Sequence, residues 1–275
     1  VSGWTALGGR VRNTHILDRT PCGSSSGSGA AMAASLAAAT IGTETNGSII
    51  CPSNVNGIVG FKPTVGLVSQ EGIIPISSTQ DTAGPMTKTV SDAALLLGSM
   101  NREEDPLKYI NALDAGSLKG KRVGVLRFTL NTNPDLTTRF DAAIKVLEAQ
   151  GAELVEIEAF EAASKTVRDS EWSVLTREFK TLLNEYLATT SENVPVKSLT
   201  ELIAFNEEHA EQELSVFDQS IFVEADKTEG MDDPKYAAAV KDVTETAGVN
   251  GIDAIMKQFE VDVLVSPSGP VAALV

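Results

Sequence analysis

The sequence predicts a mixed α/β fold in which a β-sheet is surrounded by helices. Between Lys121 and Ile157, a strand pattern, an amphipathic helix and a second strand pattern follow one another at the spacing of a parallel β-α-β unit. Three longer helical stretches and another strand pattern complete the chain, and one sheet is expected to run through it. With 42% hydrophobic and 21% charged residues, the composition is that of a globular protein with a sizeable core.

The first hundred residues are predicted to form short elements joined by turns, since they hold 14 of the 22 glycines. Ala30–Ala39 is rich in alanine and predicts a buried helix, because small side chains let neighbouring segments approach closely. The apolar runs Ile58–Phe61 and Val65–Val68 predict short strands separated by a turn. Val90–Met100 predicts a helix with one apolar face and Ser91 as its N-cap.

The remaining elements are longer and more highly charged. A turn-rich linker at 101–120 leads into the β-α-β unit, whose helix is expected to end at Gly151. The strands of this unit are predicted at Lys121–Phe128 and Leu154–Ile157, and its helix at Thr137–Gln150. Further helices are expected at about 162–188, 199–226 and 234–259, before a last strand at Val261–Val265.

Charge is unevenly distributed. The chain has 22 basic and 37 acidic residues, a net charge of −15, while residues 1–100 hold five of each sign. An acidic surface repels phosphate groups, so neither nucleic acid nor an anionic membrane is an expected partner. The uncharged stretch from Thr20 to Thr43 holds too much Gly, Ser and Ala to span a membrane.

Cysteine and histidine are scarce. Cys22 and Cys51 do not make a disulfide framework, and the sequence leaves their pairing open. His15 and His209 belong to no metal-ligand motif, so no metal is expected. His209 follows acidic residues on a predicted helix and is expected to be solvated or to cap that helix, whereas His15 is expected at the surface.

Two glycine- and serine-rich segments are candidates for chemistry. Gly23–Gly29 precedes a predicted helix, and such loops direct N–H groups toward anions, so a phosphate site is one interpretation. The lysine of a Walker A loop is missing, however. In Gly42–Ser48, successive amides could converge on one oxygen, as the oxyanion of a tetrahedral intermediate requires. An ordinary turn is the alternative for each segment.

Taken together, these segments resemble the amidase signature family. The resemblance rests on Thr-Pro-Cys-Gly-Ser-Ser-Ser-Gly-Ser-Gly-Ala from Thr20, Gly-Thr-Glu-Thr-Asn-Gly-Ser-Ile from Gly42, Gly-Ile-Val-Gly-Phe-Lys-Pro-Thr from Gly57 and Gln-Asp-Thr-Ala-Gly-Pro-Met from Gln80. The sequences of these motifs are most similar to those of the bacterial peptide amidase branch. The resemblance implies the amidase signature fold in a single domain over 1–275, incomplete at both ends. Its parts would be a signature core (1–100), a linker (101–120) and a helical and strand part (121–275).

The resemblance also implies an amide hydrolase that works through an acyl-enzyme with a Ser–cis-Ser–Lys triad. Ser48 would be the nucleophile, and Ser24, after a cis peptide bond from Gly23, would relay its proton. Ser25 would give local support. No metal or organic cofactor is implied, and carboxamides, including peptide C-terminal amides, are the expected substrates. The oxyanion hole would be formed by the amides of Thr45, Asn46, Gly47 and Ser48.

The triad's lysine is the part that the sequence does not supply. In the family it lies upstream of the Gly-Ser-Ser-Ser segment, and no lysine precedes Lys62 here. Lys62 itself falls on a scaffold position and is not expected to replace it, so the chain as written is expected to have impaired activity. A cytoplasmic location is favoured, and the oligomeric state is left open. The alternatives are the amidase component of a glutamyl-tRNA amidotransferase-like complex, a non-catalytic remnant and a phosphate-binding module.

Overall fold

The structure is a computed structural model that describes residues 3–101, 105–130, 133–160, 164–269 and 271–274. These residues contain both helices and strands, which confirms the predicted mixed α/β class. The expectation of one continuous sheet is wrong for the described strands. They form a short hairpin and two separate three-stranded sheets, because helices rather than a shared strand connect the two sheets.

The first hundred residues form the hairpin and an antiparallel sheet. The strands are β1 (Trp4–Thr5), β2 (Gly9–Arg10), β3 (Thr40–Glu44), β4 (Val59–Gly60) and β5 (Thr82–Thr87). In the sheet, β5 lies between β3 and β4 and is buried along its whole length. The helices that pack beside these strands are α1 (Ser26–Ala33), α2 (Ile50–Asn56) and α3 (Val90–Met100).

Helix α1 does not follow its predicted bounds. It begins four residues before Ala30 and ends at Ala33, so the second half of the alanine run is not helical. The cause is Ser35, which has the left-handed conformation (φ 59°) and cannot continue an α-helix. Helix propensity alone therefore predicted the start of α1 too far along the chain, since the helix begins directly after the turn at Ser25.

The strand expected at Val65–Val68 is also absent from the described fold. Gly66 has a φ of 88°, and the Leu67 N–H donates to the Thr64 carbonyl at 3.0 Å, so the segment is a turn. The helix at Val90–Met100 is confirmed. Its N-cap is Thr89 and not Ser91, because the Thr89 hydroxyl accepts the Asp92 N–H at 3.1 Å.

The second sheet is parallel and confirms the β-α-β prediction. Its strands are β6 (Arg122–Leu126), β7 (Glu153–Ile157) and β8 (Val263–Val265), with β6 in the middle. The short α4 (Lys108–Asn111) precedes this sheet, inside the predicted linker, and α5 (Pro134–Ala149) covers it. Val125, Phe140 and Ile144 form the buried contact between α5 and the sheet. Gly151, with a φ of 92°, ends this helix as the sequence indicates.

Helices dominate the rest of the described chain, and α6 (Ser164–Ala188) is the longest. Two of the three predicted helical stretches are broken into shorter pieces. These are α7 (Leu199–Glu208), α8 (Ala210–Glu213), α9 (Ser220–Asp226), α10 (Pro234–Val243), a π-helix (Thr244–Ile252) and α11 (Asp253–Phe259). None of the described helices combines the length and the apolar character that a membrane span requires.

Candidate active site

Ser24 lies in the loop that leads into α1. The peptide bond between Gly23 and Ser24 is cis, as the resemblance implies. The next residue, Ser25, attaches this loop to the end of β3, because its hydroxyl donates to the Thr43 carbonyl (3.0 Å) and accepts the Thr43 N–H (3.1 Å). The loop is therefore held against the antiparallel sheet immediately after the Ser24 side chain.

Ser48 lies in the loop between β3 and α2. The buried Glu44 carboxylate, at the end of β3, accepts the N–H groups of Gly47 (2.9 Å), Ile49 (2.7 Å) and Ile50 (2.8 Å). Gly47 has a φ of 86°, a conformation that favours glycine. The chain thus wraps around one carboxylate, and this fold of the loop presents Ser48.

The two serines line the same small pocket. The loops that carry them are joined directly by the Ser25 N–H, which donates to the Ser48 carbonyl at 3.2 Å. Ser24 is exposed and Ser48 is half-buried, so both residues are accessible from the pocket. The residues that line it are Ser24, Thr43, Thr45, Ser48, Ile73, Ile74, Ile76 and Asp81.

The predicted oxyanion amides are not all available. Because the Gly47 N–H donates to Glu44, it must be removed from the predicted set of four. No acceptor engages the N–H groups of Thr45, Asn46 or Ser48 within the described residues. The Asn46 side chain donates to Glu171 of α6 at 2.8 Å, so it is held away from its own loop.

Thr45 is fixed on two sides. Its hydroxyl donates to Asp81 Oδ1 at 2.6 Å, and its carbonyl accepts a hydrogen bond from Lys62 Nζ at 2.9 Å. Lys62 is therefore bonded to the backbone of the pocket wall, in keeping with a scaffold position. Asp81 Oδ2 in turn accepts the N–H groups of Ile76 and Ser77, at 2.7 and 2.8 Å.

A disulfide between Cys22 and Cys51 settles the pairing that the sequence left open. Cys22 comes two residues before Ser24, and Cys51 three residues after Ser48. The covalent bond therefore ties together the two segments that carry the pocket serines. Cys22 itself has a φ of 55°, which is uncommon for a residue other than glycine.

Sequence reasoning missed Glu44, Asp81 and the Lys62 contact as organisers of the site. A signal for the two acids existed, since residues 1–100 hold only five acidic side chains. Glu44 and Asp81 both fall within the signature segments, where an acid next to Gly, Ser and Thr is well placed to accept turn N–H groups. Their partners, however, are set by the tertiary fold.

Replacing Glu44 by glutamine tests the loop clamp. The amide keeps the shape but turns an NH₂ group toward backbone donors, so we expect the free energy of unfolding to fall by about 2–4 kcal/mol. Urea unfolding followed by circular dichroism measures this. The matched control is Glu71→Gln, at an exposed acid of the same region, with an expected change within about 0.5 kcal/mol. Equal stability of the two variants would contradict the clamp.

The serine hydroxyls of the Gly23–Gly29 segment are largely bonded within the chain. Three of its hydroxyls are engaged by the chain itself. Ser25 bonds Thr43, Ser26 donates to the Cys22 carbonyl, and Ser28 donates to the Ile41 carbonyl at 2.8 Å. These bonds favour a structural role for the segment around Ser24.

The histidines lie outside the pocket lining. The exposed His15 makes a 2.8 Å hydrogen bond from Nε2 to the Asn56 carbonyl. The predicted capping role of His209 is confirmed, because it ends α7 with Nδ1 2.8 Å from the Phe205 carbonyl and stacks on the Phe205 ring. The described residues contain no cluster of three potential metal-ligating side chains.

Comparison with known proteins identifies the family and supports the fold. The family model Amidase matches residues 2–275. The crystal structure of a peptide amidase from Stenotrophomonas maltophilia superposes with a TM-score of 0.89 and 42% identity over 100% of this chain and 58% of that one. A probable amidase of Arabidopsis thaliana is 36% identical over 96% of this chain and 53% of its own length. One subunit of a glutamyl-tRNA(Gln) amidotransferase from Halorhodospira halophila is 43% identical over 56% of this chain and 34% of its own.

The first two of these proteins are longer than the present chain, which spans about half of their length. The family match nevertheless includes every residue of the pocket and both serine loops. The fold agrees with that of the peptide amidase over the whole chain. The chain belongs to the amidase signature family.

Proposed function

We propose that the chain carries the acylation centre of a hydrolase that acts on the C–N bond of carboxamides, peptide C-terminal amides included. The observation that carries the proposal is the position of Ser24 and Ser48 in one pocket. The N–H groups beside Ser48, which no acceptor engages within the described residues, also support it. The similarity to a peptide amidase favours the peptide amide among possible substrates.

In the proposed reaction, Ser48 Oγ attacks the carboxamide carbon and transfers its proton to Ser24, which passes its own proton toward a base. The negative oxygen of the tetrahedral intermediate accepts hydrogen bonds from the N–H groups of Thr45, Asn46 and Ser48. These donors stabilise the charge that develops on the oxygen in the transition state. Protonation of the nitrogen releases ammonia and leaves an ester on Ser48. Water then attacks the ester, so that the carboxylate leaves and both hydroxyls are restored.

The pocket walls favour a neutral, apolar group next to the scissile amide. Three of the eight residues that line the pocket, Ile73, Ile74 and Ile76, are apolar. The nearby Asp81 carboxylate accepts three hydrogen bonds from Thr45, Ile76 and Ser77. It is therefore a poor partner for a cationic substrate. Amides of leucine or phenylalanine suit these walls better than amides of lysine or aspartate.

The base is proposed to be the family's lysine, contributed from outside these 275 residues. No lysine precedes Lys62 in the sequence, and Lys62 Nζ is bonded to the Thr45 carbonyl. General-base assistance contributes about 10²–10⁴-fold to such reactions. We therefore expect the chain by itself to hydrolyse amides slowly, well below the rate of about 1 s⁻¹ that is common among enzymes.

The test is ammonia release from a C-terminal leucine amide. It compares the 275-residue chain with an extended form, in which the segments of the Stenotrophomonas maltophilia peptide amidase that lie before and after the matched region are joined to Val1 and Val275. We expect the extended form to be at least about 100-fold faster. A folded extended form without hydrolysis would contradict the proposal and favour the non-catalytic remnant. Fast hydrolysis by the chain alone would contradict the assignment of the base.

The amidase component of an amidotransferase is the second candidate. It is favoured by the 43% identity to a glutamyl-tRNA(Gln) amidotransferase subunit over 165 residues. Such a component would need partner chains for its reaction, whereas the peptide amidase function needs none. Hydrolysis of glutamine that appears only with amidotransferase partner chains, and no hydrolysis of peptide amides, would support this candidate.

A further inference from the structure

A fully buried carboxylate lies outside the pocket, on α6. Glu178 is 0% exposed. Its Oε1 accepts hydrogen bonds from Ser78 Oγ (3.2 Å) and Tyr236 OH (2.7 Å). Its Oε2 accepts them from Ser77 Oγ, Thr79 Oγ1 (3.1 Å) and the Thr79 N–H (3.4 Å). Four of these five donors come from three consecutive residues of one loop.

The donors to Glu178 are all neutral. The neighbouring cations of α6 are bonded elsewhere, since Arg177 pairs with Asp233 and Lys180 pairs with Asp226. Burying a carboxylate without a cation is costly unless hydrogen bonds replace its hydration. An apolar side chain would fill the same space without that cost. The presence of a carboxylate here is therefore explained by its hydrogen bonds to residues 77–79, which hold that loop in place.

Tyr236 supports the same arrangement from the other side. Burial, together with the hydrogen bond to Glu178, raises the pKa of Tyr236 to about 12. The phenol therefore remains a donor throughout the pH range in which the protein would work. Its bond adds α10 to the elements that converge on Glu178.

The held loop leads directly to the pocket. Ser77 is the link, because its hydroxyl donates to Glu178 while its N–H donates to Asp81 Oδ2 at 2.8 Å. Asp81 Oδ1 accepts the Thr45 hydroxyl at 2.6 Å. A continuous series of hydrogen bonds thus joins α6 to Thr45, the first residue whose amide is proposed to stabilise the oxyanion. Asp81 also fixes the pocket-wall residue Ile76, because its Oδ2 accepts a hydrogen bond from the Ile76 N–H.

We propose that Glu178 is a positioning residue, which fixes the loop 77–79 and, through Ser77 and Asp81, the oxyanion amide of Thr45. This inference rests on the proposed function. Because the oxyanion exists only after attack by Ser48, Glu178 acts on the transition state more than on substrate binding. Its loss therefore lowers kcat and leaves KM nearly unchanged.

Glu178→Gln is the test variant, since it keeps the size of the side chain but presents an NH₂ group to hydroxyl and N–H donors. Asp233→Asn is the matched control, because it breaks the ion pair, largely shielded from solvent, that Arg177 makes from the same helix. The bonding partners of its side chain, Arg177 and Lys235, both lie outside the loop. Its carbonyl accepts the Tyr236 N–H at 2.8 Å, a backbone bond that asparagine retains. In the extended form we expect Glu178→Gln to lower kcat about 10- to 100-fold, with KM changed less than about 3-fold. The control keeps kcat within about 3-fold of the parent.

Hydrogen exchange of the 275-residue chain supplies a measurement that needs no turnover. We expect the amides of Ile76 and Ser77, which donate to Asp81, to exchange at least about 10-fold faster in Glu178→Gln and to be unchanged in Asp233→Asn. If Glu178→Gln does not fold, Ser77→Ala, which removes only the linking hydroxyl, is expected to show the same pattern more weakly.

The two measurements separate the possible failures. A parent without turnover in the extended form contradicts the proposed function, and the catalytic part of this inference with it. Unchanged exchange of Ile76 and Ser77 in Glu178→Gln overturns the positioning role itself. A kcat that falls equally in Glu178→Gln and Asp233→Asn also overturns it, because the effect would then be one of general stability.

Discussion

Replacing Ser48 by alanine is expected to abolish amide hydrolysis by the extended form, with a loss of at least about 10⁴-fold, and to leave the fold intact. The attack requires Ser48 Oγ and cannot be made by a methyl group. The fold should tolerate the change because Ser48 meets Ser25 through its carbonyl, which alanine retains. Ammonia release measures the activity, and circular dichroism with thermal unfolding checks the fold.

The control for this variant is Ser28→Ala. Ser28 lies in the same Gly- and Ser-rich segment as Ser24 but donates to the Ile41 carbonyl and does not line the pocket. Its replacement should leave the rate almost unchanged. If Ser48→Ala kept its activity, the nucleophile would have to be another residue, and the assignment of the loop between β3 and α2 as the reactive centre would be wrong.

Removing the disulfide is expected to have the largest effect on stability. The Cys22–Cys51 bond closes a loop with a sequence separation of 29 residues. The chain-entropy estimate for a loop of this length is about 3–4 kcal/mol of lost unfolding free energy. Because the bond joins the two serine loops, the double variant Cys22→Ser, Cys51→Ser should also lose activity in the extended form. Urea unfolding with and without a thiol reductant measures the stability change.

The double variant is also the control for the reductant. It should unfold at the same urea concentration whether or not the reductant is present, whereas the parent should shift. An unchanged midpoint of the parent, with loss of the disulfide verified by mass spectrometry, would show that the bond does not stabilise this fold.

The parts of the fold that could be predicted are those fixed by local chemistry. The β-α-β unit was predictable because its helix has an apolar face that matches the core residues Phe140 and Ile144. Gly151 was predictable because a helix end requires a positive φ that glycine adopts easily. The antiparallel strand β5 gave no such signal, since the segment Thr82–Thr87 contains Gly84 and Pro85 and pairs with strands far away in sequence.

The site divides in the same way. The two serines were identified because their segments carry sequence motifs specific to the family. The structure brings both serines into one pocket. The clamps around the serines were not identified from the sequence. Glu44 and Asp81 act by accepting hydrogen bonds from backbone N–H groups, which almost any residue can supply. Glu178 was out of reach of sequence reasoning, since about a hundred residues separate it from the loop that it holds. An acid within a helical pattern ordinarily indicates a solvated face.

The central claim is that Ser24 and Ser48 form one acylation centre, and fluorophosphonate labelling tests it most directly. The extended form is treated with the probe after circular dichroism has verified folding, and the labelled peptide is identified by mass spectrometry. We predict label on Ser48, formed at least about 10-fold more slowly after Ser24→Ala. Label on another serine, or labelling of Ser48 at the same rate in Ser24→Ala, would contradict it.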